Sequence, residues 1–213
     1  MTGLPSAISA IPREHLRPIR RATLRYTWGG VIGSKNPFDL ALYPMLPWRD
    51  KPQTIIEIGS KEGGSALWLT QTCKGLGFRT RIVGIDIDQR AKVEYPRIAF
   101  LQGDGRDLGA VLSDDFMRKL KRPLLVIEDA DHHYLTTLAV LRFMDRHLVS
   151  GEYILIEDGI CNSLGNEGRY DGGPNRAVEE FLTGRDDYEI DRSFCDFYGH
   201  NVTWATNGFI RRR

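Results

Sequence analysis

From Thr54 onward, the chain alternates between short aliphatic runs and stretches whose apolar residues recur at helical spacing. Five runs rich in β-branched and aliphatic residues predict strands, at 54–58, 81–86, 98–102, 124–128 and 153–156. The intervening segments place apolar residues three and four positions apart, which is typical of helices packed on a core: Ala66, Leu69, Thr70 and Cys73 are one such set. Strands that alternate with helices predict an α/β fold of the Rossmann-like, doubly wound kind, with helices on both faces of a parallel sheet.

The pattern changes at both ends of the chain. After a helix opened by Pro174, extended segments at 188–194 and 202–211 are separated only by a turn, so no crossover helix fits and we expect them to pair antiparallel. Before Thr54, the sequence predicts a basic helix near 12–26, a glycine turn at 29–30 and a short helix at 37–46. We therefore expect an N-terminal helical appendage at 1–50 and an α/β domain at 51–213.

Each predicted strand carries a carboxylate at or near its C-terminal end: Glu57, Asp86, Asp104, Asp129 and the pair Glu157-Asp158. In an open parallel sheet these ends face the crevice where ligands bind. Carboxylates converging on one crevice repel each other unless a cation or hydrogen-bond donors lie between them. The pattern predicts a binding crevice and favours a metal-assisted enzyme.

A glycine-rich turn follows the first strand and predicts a cofactor site. Its spacing is neither the GxGxxG of dinucleotide folds nor a phosphate-binding GxxxxGK[ST]. Asp86, at the end of the next strand, suits a ribose diol, and Glu57 inside the first strand needs a donor such as an amino group, reached directly or through ordered donors. A ribose with an amino-acid tail describes S-adenosylmethionine. The residues expected to bind it are Glu57, Gly59, Ser60, Glu62, Gly63, Gly64, Ser65 and Asp86.

The fourth and fifth strands predict a metal site and a base. Asp129 and the pair Glu157-Asp158 offer only oxygen ligands, which suit a hard ion such as Mg²⁺, with Mn²⁺ or Ca²⁺ as alternatives. A divalent ion at this point can favour the alkoxide form of a substrate hydroxyl. His132, three residues after Asp129, is the candidate catalytic base for that hydroxyl proton.

Composition and charge narrow the class of partner. A formal net charge of +1 in 213 residues gives no general attraction to nucleic acid. Three widely spaced cysteines form neither a disulfide framework nor a zinc spacing, which indicates a reducing compartment. No apolar run approaches the roughly 20 residues of a membrane span, and no signal peptide is evident, so a cytoplasmic location is expected.

Several segments resemble the cephalosporin hydroxylase and rhamnosyl O-methyltransferase family of class I methyltransferases, which use S-adenosylmethionine. They span the chain from Trp28 to Arg213 in the expected order: WGGV, NPFDL with Tyr43, IIEIGSKEGGSALWL, VGIDID, EDADH, YILIEDG and GGPNRAVEEFL. The resemblance implies a seven-stranded sheet with a reversed terminal hairpin, methyl transfer to oxygen and a Mg²⁺ site. By position it places Asp129, Glu157 and Asp158 as metal ligands, His132 as the base and Asp86 at the ribose. It also places Asp104 near the adenine.

The acceptor is expected to be a small molecule with a free hydroxyl, either a sugar or a glycosylated or polyketide natural product. The loop 159–173 is long and glycine-rich, which favours a substrate lid over a disordered connection. Two other classes stay open: an NAD-dependent oxidoreductase, since Asp86 suits its ribose equally well, and a non-catalytic module that binds an adenosyl ligand. The sequence does not determine the oligomeric state, and a homo-oligomer is one of the states it allows.

Overall fold

The structure of the protein is a computed structural model that describes residues 4–88 and 90–213. Its helices are α1 Arg13–Thr23, α2 Pro37–Leu42, α3 Met45–Asp50, α4 Gly64–Gly75, α5 Asp114–Lys119, α6 Tyr134–Asp145, α7 Gly173–Leu182 and α8 Arg192–Cys195. Its strands are β1 Thr27–Trp28, β2 Val31–Ile32, β3 Thr54–Ile58, β4 Arg81–Asp86, β5 Ile98–Gln102, β6 Leu124–Glu128, β7 Tyr153–Ile156, β8 Tyr188–Ile190 and β9 Phe209–Arg212.

Strands β3 to β9 form one seven-stranded sheet in the order β5-β4-β3-β6-β7-β9-β8. The first five are parallel, while β9 pairs antiparallel with both β7 and β8. Strand order reverses between β3 and β6, which is the switch point where ligands bind in such sheets. The predicted mostly parallel sheet with a reversed C-terminal hairpin is confirmed.

Both faces of the sheet are covered, as the buried strand runs require. On one face, side chains of α5, α6 and α7 pack against alternate residues of the strands, such as Ile56 and Val126. On the other face, α2, α3, α4 and α8 pack against the residues in between, such as Ile55 and Ile127. The strand residues therefore alternate between two cores, and neighbouring acids at the strand ends point to opposite sides.

The first 50 residues pack on the α/β domain. Leu16 of α1 lies in a small core with Ile160, Leu164 and Trp204, and the β1–β2 hairpin lies against α4, where Trp28 donates a hydrogen bond to Gln71 at 2.7 Å. The predicted helix at 37–46 is two short helices, because Pro44 follows the first and Met45 begins the second. The boundary between 1–50 and 51–213 stays a prediction.

The two C-terminal extended segments are shorter than predicted. Strand β8 ends at Ile190 because the side chain of Asp191 accepts a hydrogen bond from the Ser193 amide at 3.0 Å and caps α8. Residues 202–208 stay irregular because their polar side chains bond within the loop and to α2. Asn201 accepts from the Asn207 amide at 3.0 Å, and Thr203 donates to Asp39 at 2.7 Å.

Candidate active site

A crevice opens at the C-terminal ends of β3, β4, β5 and β6. Its volume is about 220 Å³ and its walls include three of the predicted cofactor residues, Gly59, Asp86 and Asp104. Residues not predicted for it also line it, among them Lys61, Asp88, Arg90, Asp131 and Thr136. It lies at the switch point of the sheet, where a nucleoside is expected.

Asp86 is held in a fixed orientation at the end of β4. One carboxylate oxygen accepts from the Lys61 amide at 2.8 Å, and the other accepts from the Asp88 amide at 3.0 Å. A carboxylate has about four acceptor sites, so both oxygens can still accept from a ribose diol. The carboxylate and the crevice therefore fit a nucleoside. Asp104 at the end of β5 accepts from the Arg106 amide at 2.8 Å and faces the same crevice.

The glycines of the turn after β3 have a packing reason of their own. Gly59 has φ of 91°, and a Cβ there would lie 2.0 Å from the carbonyl oxygen of Asp129. At Gly64 a Cβ would lie 2.2 Å from the carbonyl oxygen of Ile32 in the hairpin. Of the other predicted cofactor residues in the turn, Ser60 and Ser65 are buried, Gly63 precedes α4, and Glu62 pairs with Lys92. Their role in cofactor binding stays a prediction.

Glu57 is fully buried within β3. Within residues 4–88 and 90–213, neither of its carboxylate oxygens has a hydrogen-bond partner. Burial raises the pKa of Glu57 to about 7. Because the side chain does not line the crevice, contact with a ligand amino group through ordered donors suits this geometry better than direct contact.

We expect Glu57→Gln to stabilise the protein at alkaline pH. The folded-state pKa lies above the ordinary value of 4.5, so the folded protein binds this proton more tightly than the unfolded chain between about pH 4.5 and 7. Wild-type stability falls as the pH rises through that window, and the loss is complete above it. The variant has no such carboxylate and does not lose this stability. Its free energy of unfolding relative to wild type should therefore rise from about zero near pH 4 to at most about 3 kcal/mol near pH 8.

Urea unfolding of wild type and Glu57→Gln across this pH range measures the effect. Glu94→Gln is the matched control, because Glu94 is exposed and its replacement should change stability by less than about 0.5 kcal/mol at every pH. A Glu57→Gln gain that does not grow with pH would show that Glu57 is not a protonated buried acid.

The acids after β6 and β7 lie close together, as predicted, but in two groups. One ligand atom each from Asp129, His132 and Asp158 lie within 4.8 Å of one another, an arrangement that fits a divalent ion. Glu157 instead contacts the ammonium of Lys35, which also contacts Asp129 at 3.1 Å. The ligand set Asp129, Glu157 and Asp158 therefore stays a prediction, with two of its members placed around one point.

Two lysines compensate the negative charge of these acids. Burial by itself raises the pKa of Asp129, but the charges of Lys35 and Lys61 outweigh it and hold that pKa below its usual value. Burial and the charge of Asp129 raise the pKa of Glu157 well above its usual value. The charge of Asp129 raises the pKa of Lys61.

His132 lies with Asp129 and Asp158, and these three residues together with Glu157 are called the acid cluster. Its Nδ1 is 3.4 Å from Asp158 Oδ2, and its ring meets Tyr170 edge to face with 5.7 Å between centroids. His132 and Asp158 have φ of 62° and 56°, a backbone region that side chains other than glycine rarely adopt. Strained backbone of this kind concentrates at functional sites.

The side chains adjacent in sequence to Asp129 and His132 make contacts outside the acid cluster. Glu128 is buried on the opposite face, where it accepts from Thr137 at 3.1 Å, and burial raises its pKa to about 7. Asp131 accepts from the His133 amide at 3.0 Å, and His133 occupies the N-cap position of α6. Because strand residues alternate in direction, Asp129 points away from Glu128 and toward Lys35 and Asp158.

Sequence reasoning missed Lys35 and Lys61. Lys61 stands inside the glycine-rich turn, and a basic residue between a strand-end acid and the helix was the available signal. Lys35 stands in the polar stretch before Asn36-Pro37, where no periodicity marks it as buried. Its contacts reach Asp129 and Glu157 across 94 and 122 residues of sequence, a separation that local patterns do not report.

This sheet order, the crevice at its switch point and the strand-end acids define a class I methyltransferase. The chain belongs to the family described as "Rhamnosyl O-methyltransferase/CmcI", which matches residues 20–213. The predicted family and the predicted class of enzyme, an S-adenosylmethionine-dependent O-methyltransferase, are confirmed.

Similar proteins carry one of the two names in that family description. A rhamnosyl O-methyltransferase from Mycobacterium leprae is 27% identical over 202 residues, which cover 88% of this chain and 83% of that protein. A solved structure of CmcI described as its Mg-SAM form is 25% identical, with a TM-score of 0.70 over 99% of this chain and 90% of that chain. An apo structure of CmcI is 26% identical, with a TM-score of 0.72 over 98% and 89%.

No helix in the described part of the chain, residues 4–88 and 90–213, is long and apolar enough to cross a membrane.

Proposed function

We propose that the protein transfers the methyl group of S-adenosylmethionine to a hydroxyl of a sugar or of a sugar-bearing natural product, with Mg²⁺ at the strand-end acids. The observation that carries the proposal is the position of His132. Its imidazole faces Asp158 at 3.4 Å, in the acid cluster beside the nucleoside-sized crevice. The family membership supports the reaction, and the CmcI structure described with Mg and SAM supports both cofactors.

The donor would lie in the crevice along β4, β3 and β6. Asp86 would accept hydrogen bonds from the ribose, and Asp104 would lie near the adenine, since both line the crevice. The walls contributed by Ile58, Ile85 and Ala130 exclude water from the donor. The acid cluster adjoins this crevice at β6, so donor and acceptor meet over the end of one strand.

Asp129 and Asp158 would hold the divalent ion, and Glu157 is the third ligand inferred from the family resemblance. Their carboxylate oxygens suit Mg²⁺. A bound divalent ion supplies positive charge that favours the alkoxide form of the acceptor hydroxyl. Asp158 also orients His132, because a proton on Nδ1 that faces its carboxylate leaves the lone pair of Nε2 free.

His132 would accept the acceptor's hydroxyl proton at Nε2 as the oxygen takes the methyl group from the sulfonium of the donor. The products are the methyl ether, S-adenosylhomocysteine and a proton on the imidazole, so the charges balance. Positioning the two reactants in one crevice supplies much of the acceleration, since well-oriented reactants gain several kcal/mol.

The loop 159–173 would cover the acceptor. It contains two 3-10 turns, Gly159–Cys161 and Glu167–Tyr170, and it is anchored by Leu164 in the small core beneath α1. Its residue Tyr170 packs against the candidate base. An aromatic side chain beside His132 offers a face on which a sugar ring can stack.

A labelled-methyl assay tests the proposal. The purified protein is given methyl-labelled S-adenosylmethionine with a synthetic aryl rhamnoside, and with the same aryl group lacking the sugar as the matched control. We expect label in the rhamnoside alone, at least about tenfold less label after chelation by EDTA, and recovery on adding Mg²⁺. Methyl transfer that continues at the same rate after chelation would contradict the proposed dependence on Mg²⁺.

The labelled-methyl assay, together with binding measurements for S-adenosylhomocysteine and NADH, separates the remaining alternatives. No transfer to any of a panel of sugar, glycoside and polyketide hydroxyls, with S-adenosylhomocysteine still binding, would favour a non-catalytic module. Saturable binding of NADH without binding of S-adenosylhomocysteine would overturn the choice of donor, since Asp86 suits either ribose.

A further inference from the structure

A lysine ammonium lies inside the acid cluster. Lys35 Nζ contacts Asp129 Oδ2 at 3.1 Å and also contacts Glu157 Oε1, and the lysine side chain is 1% exposed. Because Asp129 and Glu157 follow neighbouring strands, they form a like-charge pair whose members repel each other unless a cation lies between them. In this structure the cation is part of the chain.

Acidic and aromatic side chains surround the Lys35 ammonium. Burial by itself lowers the pKa of Lys35, but the charges of Glu157, Asp129 and Glu57 outweigh it and raise that pKa above its usual value. The ring of Tyr43 adds a cation–π contact with 5.5 Å between Nζ and the ring centroid. These contacts place the Lys35 ammonium between two carboxylates and against an aromatic ring.

The segment that carries Lys35 is fixed in place. Asn36 caps α2 by accepting from the amides of Phe38 and Asp39 at 3.0 and 3.1 Å. Asp39 is fully buried and accepts from Thr203 at 2.7 Å, which ties α2 to the C-terminal loop. The NPFD motif thus positions Lys35 over the strand ends from outside the sheet.

Lys35 also divides the cluster. Glu157 contacts it, Asp158 lies with His132 in the group suited to a divalent ion, and Asp129 belongs to both sets. A lysine ammonium and a divalent ion near one carboxylate repel each other, so the lysine weakens the binding of the ion. Removing the lysine also frees Glu157 as a ligand.

We propose that Lys35 is a built-in counter-ion. It holds Asp129 and Glu157 together when no divalent ion is bound, and it sets the affinity for the ion by competing for the shared carboxylate. Its action on the ion rests on the metal site of the proposed function, whereas its action on the acids rests on the contacts alone.

The test compares wild type, Lys35→Met and Lys51→Met. Methionine is unbranched and one heavy atom shorter than lysine, so it keeps most of the packing and removes the charge. Lys51 is an exposed lysine that serves as the matched control. Mn²⁺ affinity is measured by paramagnetic resonance, and Tm is measured with and without Mg²⁺. We expect Lys35→Met to bind Mn²⁺ at least about tenfold more tightly and to have a lower Tm without metal. Mg²⁺ should raise its Tm more than that of wild type or the control.

A double variant separates charge balance from packing. Lys35→Met with Glu157→Gln removes one positive and one negative group, so its metal-free Tm should recover most of what Lys35→Met loses. If Lys35→Met fails to fold, recovery in the double variant still supports the counter-ion. A double variant no more stable than the single one would overturn it.

Two further outcomes decide the proposal. A metal-free Tm within about 2 °C of wild type and a Mn²⁺ affinity within about twofold for Lys35→Met would overturn the counter-ion. If wild type and Lys35→Met both bind no Mn²⁺, the metal site of the proposed function fails and the competition fails with it. The pairing of the two acids is then decided by the Tm values of the single and double variants.

Discussion

Replacing His132 by alanine lowers kcat for methyl transfer by about 10²–10⁴, the range expected for the loss of a general base. Removing the side chain should not unfold the protein, because the imidazole is half-buried with Tyr170 at its edge. Alanine at the His132 φ of 62° should cost about 1 kcal/mol of stability. Affinity for S-adenosylhomocysteine should stay within a few-fold, because His132 does not line the donor crevice. Single-turnover kinetics with the labelled donor measure the chemical step directly.

His133→Ala is the matched control for this prediction. His133 follows His132 in sequence but caps α6, where its side chain accepts from the Leu135 amide at 3.3 Å. Its replacement should lower stability by about 1 kcal/mol and leave kcat nearly unchanged. An unchanged kcat in His132→Ala would remove His132 from the mechanism, and equal losses in both variants would point to a displaced helix.

The parallel core of the fold was predictable because its signals are local. Strands β3 to β7 have the predicted bounds, since a buried parallel strand must be a short aliphatic run between turn residues. Gly59 marks the end of the β3 run, and Pro174 marks the first turn of α7. These features need no information from distant parts of the chain.

The rest of the fold depends on contacts that the sequence pattern does not show. The β1–β2 hairpin has only two residues in each strand and is positioned by α4. Residues 202–208 have an extended pattern, but hydrogen bonds among Asn201, Asn207, Thr203 and Asp39 keep them irregular. A polar side chain bonded across the fold overrides local propensity there.

The site was predictable as a set of acids, and less so as a geometry. Parallel strands bring their carboxyl ends to one edge of the sheet, so Asp86, Asp129 and Asp158 were expected at that edge. The pattern could not show that Glu157 contacts a lysine from a distant segment. It did imply that a cation or hydrogen-bond donors had to lie among the acids, and Lys35 supplies one such cation.

Asp158→Ala should abolish the part of the activity that depends on Mg²⁺. The carboxylate lies with Asp129 and His132 in the group suited to a divalent ion, and it orients the imidazole from 3.4 Å. We therefore expect methyl transfer to fall by about 100-fold or more at saturating Mg²⁺, and Mn²⁺ affinity to fall by a similar factor. Affinity for S-adenosylhomocysteine, measured by calorimetry, should stay within a few-fold, because Asp158 does not line the donor crevice.

Two controls separate the lost carboxylate from the backbone at this position. Asp158 has φ of 56°, where alanine is disfavoured by about 1 kcal/mol or more, so Asp158→Asn is made as well because asparagine tolerates this conformation. Asp171→Ala makes the same change at φ of 52° on an exposed residue paired with Arg176, and should leave Mn²⁺ affinity unchanged. Loss of Mn²⁺ affinity in both Asp158 variants and not in Asp171→Ala assigns the effect to the carboxylate. Loss of S-adenosylhomocysteine affinity instead would assign Asp158 to the donor site rather than to the metal site.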